Sequence, residues 1–319
     1  MTAPPAPGRP RLLVIGEALV DVVAVAGRSG YAHPGGSPAN VSVGAARLGV
    51  PTALLTRLGR DDAAGVIAEH MAANGVALFA AVDGAPTNVA EAHVDDAGQA
   101  HYELRMTWDL PSDALAGADT SNVECVHTGS VAATLRPGAA AVQQIVAALR
   151  ERATVSYDPN CRPSQMGPPE SVRESIEALV ASADVVKASH EDLEFLYPGA
   201  DPSTSAQRWL SSGPGLVVLT SGAAGYTAWT SAGAVSGPAV AVTVVDTVGA
   251  GDAFMSALLA GLARRELLGA TRRAELRAVA TAELRAVLAE AATAAAITCT
   301  RPGADPPDEA ELATWLSSV

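Results

Sequence analysis

The chain has 319 residues, of which 49% are hydrophobic, 4% aromatic and 17% charged, and its 21 Lys and Arg against 34 Asp and Glu give a formal net charge of −13. So much apolar surface offsets the ordering entropy of the chain and excludes disorder. Three cysteines far apart in sequence (Cys125, Cys161, Cys299) exclude a disulfide scaffold, and the acidic balance argues against nucleic-acid binding.

Residues 1–10 (MTAPPAPGRP) lack a basic region followed by an apolar core, so they read as a flexible tail rather than a signal peptide. LLVIG (12–16) is the first strand. VDVVAVAG (20–27) then contributes to a small sheet whose strands fall at about 20–33 and 87–108. A helix follows from about Pro38 to Leu48, then the strand TALLTRLG (52–59) and a helix through Ala64–Asn74. Thr87–Met106 breaks this rhythm, because VAEAHV and AHYELRM flank an Asp-Asp-Ala-Gly-Gln turn with no crossover helix. That hairpin is either an ordinary edge element or a flap that excludes water from a site.

The alternation then resumes with VECVHTG (123–129), a helix around 138–151, TVSYD (154–158), a helix around 170–181, DVVKAS (184–189) and GLVVLT (215–220). Short β-branched runs between helical stretches predict one α/β domain over 11–319. Its three layers are a mostly parallel sheet with helices on both faces, and the small β-sheet is attached to the main domain, a lid only if its hairpin is a flap rather than an edge element. Ligands in such folds sit beyond the carboxyl ends of the strands. The stretch from Trp209 to Val245 carries no charge and is long enough to span a bilayer. Glycines and prolines interrupt it, and its runs LVVL (216–219) and VAVTVV (240–245) have strand length. A cytoplasmic protein without a membrane partner is therefore expected. AELRAV occurs at both 274–279 and 282–287, which reads as composition in an Ala-rich helical region rather than a repeat architecture.

Two segments carry chemistry. In Val242–Leu262 a β-branched run ends at Asp246, and Gly249-Ala250-Gly251 opens a helix. Strand, glycine turn and helix N-terminus together gather N–H groups and a positive dipole end, which suits a phosphate. Asp252 at that terminus is either a helix cap or a carboxylate placed to accept a proton from an attacking hydroxyl. In His33–Gly49, Gly35 and Gly36 allow close approach of a ligand. Ser37 suits the N-cap of the following helix, Pro38 its first position, and Asn40 offers a donor and an acceptor.

Together these segments resemble the ribokinase-like (PfkB-type) carbohydrate kinases, and bacterial fructokinases most of all. GEALVD (16–21), GGSPAN (35–40), DPNCR (158–162), TSGAAG (220–225) and DTVGAGD (246–252) occur in the order of that family. KASHEDLEFLYPG (187–199) and TCTRPGADPP (298–307) strengthen the likeness to fructokinases. The resemblance implies transfer of the γ-phosphoryl group of ATP to a sugar hydroxyl, with magnesium, and with potassium as a potential activator.

It also implies roles for residues. Asp252 would take the hydroxyl proton, and the N–H groups of Gly249, Ala250 and Gly251 would stabilise the transferring phosphoryl. Asp21, Gly35, Gly36 and Asn40 would bind the sugar, while Arg105 and Arg162 would reach substrate or phosphates, unless they are ordinary surface arginines. Lys187, Ser189, Thr220, Gly222 and Gly225 would line the nucleotide site. Asp246 matches a monovalent-cation position. Relatives carry Asn-x-x-Glu where this chain has Ser189 and Asp192, so Asp192 would act on magnesium through water. Relatives also dimerise through the lid, which implies a homodimer here.

The six histidines show no metal-ligand spacing, although His33 and His93 fall near the expected sugar site. Cys161 and Cys299 flank motif residues, either as oxidation sensors or as small buried fillers. A nicotinamide-dependent oxidoreductase would need Gly-x-Gly-x-x-Gly after the first strand, and VIGEALVD fails that pattern. A sugar-binding regulator without catalysis would be marked by loss of the base, yet Asp252 is present. Among sugars, fructose competes with 2-keto-3-deoxygluconate, ribose and nucleosides; the acidic sugar would want a cation such as Arg105 or Arg162.

Overall fold

The strands of the main sheet are covered on both faces, and for that reason they read in the sequence as unbroken apolar runs. The computed structural model describes residues 9–25, 28–94 and 100–318, without the side chains of 23–32, 91–105 and 318. The chain begins with β1 (Leu12–Ile15), β2 (Leu19–Val25) and β3 (Arg28–Gly35), then α1 (Ser37–Arg47), β4 (Thr52–Leu58), α2 (Asp62–Ala73) and β5 (Ala77–Val82). β6 (Val89–Val94) and β7 (Ala100–Arg105) follow, and then β8 (Cys125–Gly129), α3 (Gly138–Arg150) and β9 (Thr154–Asp158). Next come α4 (Pro163–Met166), α5 (Pro169–Ser182), β10 (Val185–Ser189), α6 (His190–Leu196), α7 (Pro202–Leu210) and β11 (Leu216–Thr220). The chain closes with β12 (Tyr226–Thr230), β13 (Gly233–Gly237), α8 (Ala250–Arg264), α9 (Arg273–Arg277), α10 (Thr281–Cys299) and α11 (Glu309–Ser318).

Nine of these strands form one sheet in the order β13-β12-β11-β10-β9-β8-β1-β4-β5. All pairs are parallel except those made by β12, which runs antiparallel to both β11 and β13. Alternate residues feed opposite layers. Val14, Val185 and Val218 pack with Phe254, Leu258 and Leu288 on one face. Leu13, Val126, Val186 and Val217 pack with Ile145, Ile176 and Trp209 on the other. This is the three-layer arrangement expected. The second sheet has the order β3-β2-β6-β7, with Asp21 opposite His33 and Val89 opposite Arg105. Residues 1–8 of the expected tail, and residues 95–99 at the tip of the expected hairpin, lie outside the described residues.

Two expectations need correction. The VAVTVV run at 240–245 is an open loop, not a strand. The antiparallel β12–β13 hairpin has already closed that edge of the sheet, and Pro238 directly after β13 has no N–H to extend a ladder. Val244, Val245 and Val248 consequently stand 58%, 59% and 54% exposed. The N-cap of α1 is Gly36, and Ser37 is the first helical residue. The two AELRAV copies take different forms, as composition rather than a repeat implies: the first runs through the short α9 and past its Ala278 C-cap to Val279, whereas the second lies in the first turns of the 19-residue α10. Among the described residues no helix is long and apolar enough to cross a membrane.

Candidate active site

The carboxyl ends of β1, β8, β9, β10 and β11 lie side by side in the sheet, and the N-termini of α1 and α8 meet above them. Gly249 is the N-cap of α8 with φ 76, a left-handed conformation that glycine adopts without strain. The Ala250 N–H turns to the Thr247 carbonyl at 3.2 Å. Among the described residues the N–H groups of Gly251 and Asp252 meet no backbone acceptor, as expected of the first donors of a helix.

Asp252 belongs to both helices. It stands third in α8 and is 8% exposed. Its Oδ1 accepts from the Ser37 hydroxyl at 2.7 Å, and its Oδ2 accepts from the Asn40 side-chain amide at 2.8 Å. Both donors come from the first turn of α1. Burial raises the Asp252 carboxyl above its ordinary range, opposed by the Asn40 and Ser37 bonds and by the charges of Lys187 and Arg162. Asp252 is therefore bound by a second helix rather than spent on capping its own.

Below the glycine turn lies a buried ion pair. Lys187 Nζ, from the middle of β10, is 2.9 Å from Asp158 Oδ2 at the end of β9. The same ammonium is 3.2 Å from where a Cβ on Gly251 would sit, so it faces the inner side of the turn. Burial lowers the Lys187 pKa, but Asp158 and Asp192 outweigh it and hold the group above its ordinary value. Burial lifts Asp158 to about 6, with Lys187 opposing. His127 on β8 is pushed down to about 3 by burial and by Lys187, so it is neutral; its Nδ1 is 3.0 Å from Ser156 Oγ.

The residues expected to bind the sugar lie on β2, at the end of β3 and in the first turn of α1. A Cβ built at Gly35 would collide with Asp21 Oδ2, so the glycine makes room for that carboxylate. Burial raises the Asp21 carboxyl and His33 opposes the rise. Gly36, at φ 101, packs so closely on the turn after β1 that a Cβ would lie 2.7 Å from the Glu17 carbonyl. Arg105 ends β7 beside Val89, and its side chain lies outside the described residues, as does that of His93. Arg162 follows β9 and is exposed.

Among the residues expected at the nucleotide, Thr220 ends β11 and donates to the Ala188 carbonyl at 3.4 Å. Gly222 and Gly225 both have positive φ, and a Cβ on Gly225 would strike the Gly237 carbonyl. Ser189 and Asp192 form a capping box on α6. Asp192 Oδ1 also accepts from the Cys161 N–H at 2.6 Å, while Oδ2 accepts from the Ser189 N–H at 2.7 Å. Asp246 Oδ1 accepts from the Val248 N–H at 3.0 Å and Oδ2 from the Gly303 N–H at 2.8 Å. These bonds hold its carboxyl below the ordinary range. Among the described residues no group of three or more His, Cys, Asp or Glu gathers as a metal cage.

Sequence reasoning missed three participants. Asp158 was visible as the acid ending a strand at the ligand edge, and Glu17 as the acid directly after β1. Glu17 is 2% exposed, accepts from the Ala132 N–H at 3.2 Å, and is pushed up to about 7 by burial. Ser37 carried no such signal, because its partner is 215 residues away in sequence. Cys161 and Cys299 have thiol pKa values raised by burial, so they are poor nucleophiles.

A family-level sequence profile described as pfkB family carbohydrate kinase matches residues 9–311. The fructokinase of Rhizobium leguminosarum bv. trifolii is 33% identical over 271 residues, a span covering 81% of each chain. Among solved structures, the Xylella fastidiosa fructokinase with bound ATP aligns with a TM-score of 0.87 at 26% identity, over 97% of this chain and 98% of that one. A double mutant of the Vibrio cholerae O395 fructokinase, in a form with fructose, ADP and potassium ion bound, aligns with a TM-score of 0.81 at 26% identity, over 98% and 99%.

Proposed function

The chain belongs to the pfkB family of carbohydrate kinases, and from that membership we propose that it transfers the γ-phosphoryl group of ATP to a hydroxyl of fructose, with Asp252 as general base. The observation that carries this reading is the Asp252 carboxylate itself. It is buried, it lies at the meeting of two helix N-termini, and it stands beside the N–H groups of the glycine turn. A base in that position takes the proton of the attacking hydroxyl, while fixed donors stabilise charge on the phosphoryl group.

The other roles follow the same division. Asp21, Gly35, Gly36, Asn40 and Arg105 serve the sugar. Gly249 and Gly251 cradle the transferring phosphoryl group, whereas the Ala250 N–H, taken by the Thr247 carbonyl, does not fill the role expected of it; Lys187 and Arg162 are counter-charges. Thr220, Gly222 and Gly225 serve the nucleotide. A bound magnesium ion neutralises phosphate charge and keeps several waters. Asp192 fits that ion through water, since each of its oxygens already accepts a backbone N–H. Asp246 is kept ionised by its two N–H donors, so it offers a charge to a monovalent cation such as potassium.

The exposed guanidinium of Arg162 favours a second substrate, 2-keto-3-deoxygluconate, whose carboxylate would pair with it. A coupled ATP-consumption assay with fructose, 2-keto-3-deoxygluconate and ribose separates the two, and the highest kcat/KM is expected with fructose. In the same assay Asp252→Asn is expected to lower kcat by about 10²–10⁴-fold with the Tm preserved. Near wild-type turnover in that variant would remove Asp252 from the mechanism.

A further inference from the structure

Asp252 has both carboxylate oxygens occupied before any substrate arrives. The two donors sit on the same turn of α1 and are not equivalent. Asn40 is a residue of the expected sugar loop, and its amide holds Oδ2 at 2.8 Å. Ser37 holds Oδ1 at 2.7 Å, although its position at the start of a helix predicted a capping role. Capping is absent because Gly36 occupies the N-cap and has no side chain to give. The first bond of α1 runs instead from the Asn40 N–H to the Gly36 carbonyl at 2.9 Å. The Ser37 hydroxyl is thereby left to reach across to α8.

We propose that Ser37 is a positioning residue for the general base. Its hydroxyl fixes the Asp252 carboxylate through Oδ1, so that Oδ2, released by Asn40 to the incoming sugar, meets the sugar hydroxyl. This inference rests on the kinase reading above. In the step so positioned, the sugar O–H bond breaks and its proton passes to Asp252 Oδ2. The sugar oxygen bonds to the γ-phosphorus, and the bond from that phosphorus to the β,γ-bridging oxygen breaks, with its electron pair leaving on ADP. A hydroxyl donating to an ionised carboxylate makes a strong hydrogen bond. It also favours the charged form of the base against the burial that disfavours it.

The charged and titratable groups around Asp252 come from every neighbouring element. Ser37 and Asn40 face it from α1, Lys187 from β10, and Arg162 from the segment after β9. Asp252 in turn raises Asp158 at the end of β9 and Glu17 after β1 as a like charge. Removing the Ser37 hydroxyl therefore moves one contribution among several, and its direction is fixed: the Asp252 pKa rises.

The test uses the full chain and two readouts. Carbon-13 NMR follows the Asp252 carboxyl against pH, with the resonance assigned by its loss in Asp252→Asn. Steady-state kinetics with ATP and fructose give kcat and KM. In Ser37→Ala the Asp252 titration is expected to move to higher pH, and the acid limb of kcat/KM moves with it. The kcat is expected to fall about 10-fold or more, with the fructose KM within about 2-fold. Ser37→Thr, which keeps the hydroxyl, should restore both readouts. If the alanine variant does not fold, Ser37→Cys, nearly isosteric with a weak donor, is read the same way. An unmoved Asp252 titration, or an effect confined to KM, overturns the proposal. Failure of the kinase reading is a separate result, seen as wild-type protein that phosphorylates no sugar, and the titration still decides whether Ser37 acts on Asp252.

Discussion

Lys187 is the residue on which the charge balance of the site turns. It is 3% exposed, and three carboxylates, Asp158, Asp192 and Asp252, act on it. Replacing it by methionine leaves Asp158 buried without its partner. Loss of one member of a buried pair typically costs about 3–5 kcal/mol, so Lys187→Met is expected to lower unfolding free energy by that order. Asp158→Asn in the same chain should recover part of the loss, and urea denaturation of the single and double variants measures the difference. Activity has its own pH signature at this scale. Burial raises the Asp252 carboxyl above its ordinary value of 3.8, and a base acts only when ionised. Turnover should therefore decline on the acid side at a pH above that of a solvated aspartate.

The decisive relation among elements is the crossing of α1 and α8, which brings Ser37 and Asn40 to Asp252. Gly44 makes that crossing possible, since a Cβ there would overlap the Ser256 side chain. Gly44→Ala is expected to push the helices apart, at a cost of about 1–3 kcal/mol typical of overpacking, and to lower kcat at the same time. Ser256→Gly restores the space, so a double-mutant cycle scoring kcat should show the second change rescuing the first. The parallel strands other than β5 and several of the helices were legible in the sequence, because doubly covered strands show as unbroken apolar runs and amphipathic helices show a 3.6-residue period. The loop at 240–245 was not. Its valines carry the strand signal, but a strand needs a neighbour, and β13 had taken the edge. The acid, glycines and asparagine of the site were legible as motifs. The bond from Ser37 was not, because local capping chemistry predicts a different use for the same hydroxyl.

At the scale of the whole molecule, buried acids set how stability varies with pH. Glu17 rises from an ordinary 4.5 to about 7, and Asp158 from 3.8 to about 6. A carboxyl with a raised folded pKa contributes stability that is full below its unfolded value and lost as pH climbs through its folded value. Asp61, Asp83 and Asp246 are shifted the other way by hydrogen bonds, so their contribution fades as pH falls below about 4. His127, lowered by burial from 6.5 to about 3, works the other way, its contribution being full above about 6.5 and lost as pH falls; with two raised carboxyls against this one histidine, stability is expected to peak on the acid side of neutrality. One pKa unit is about 1.4 kcal/mol, so the Glu17 shift is worth roughly 3 kcal/mol at most. Urea titrations from pH 5 to 8 should show the wild-type decline flattened in Glu17→Gln; parallel profiles would show that Glu17 carries none of it.

The span of 215 residues between Ser37 and Asp252 also places the site in time. During synthesis at about 5–20 residues per second, the sugar-loop half emerges roughly 10–40 s before the half that carries the base. For that interval the residues of β1 have been synthesised, yet the helix end that α1 is shaped to meet has not been made. The competent site is among the last contacts the chain can close. Each molecule therefore begins to work only when nearly all of its sequence has left the ribosome.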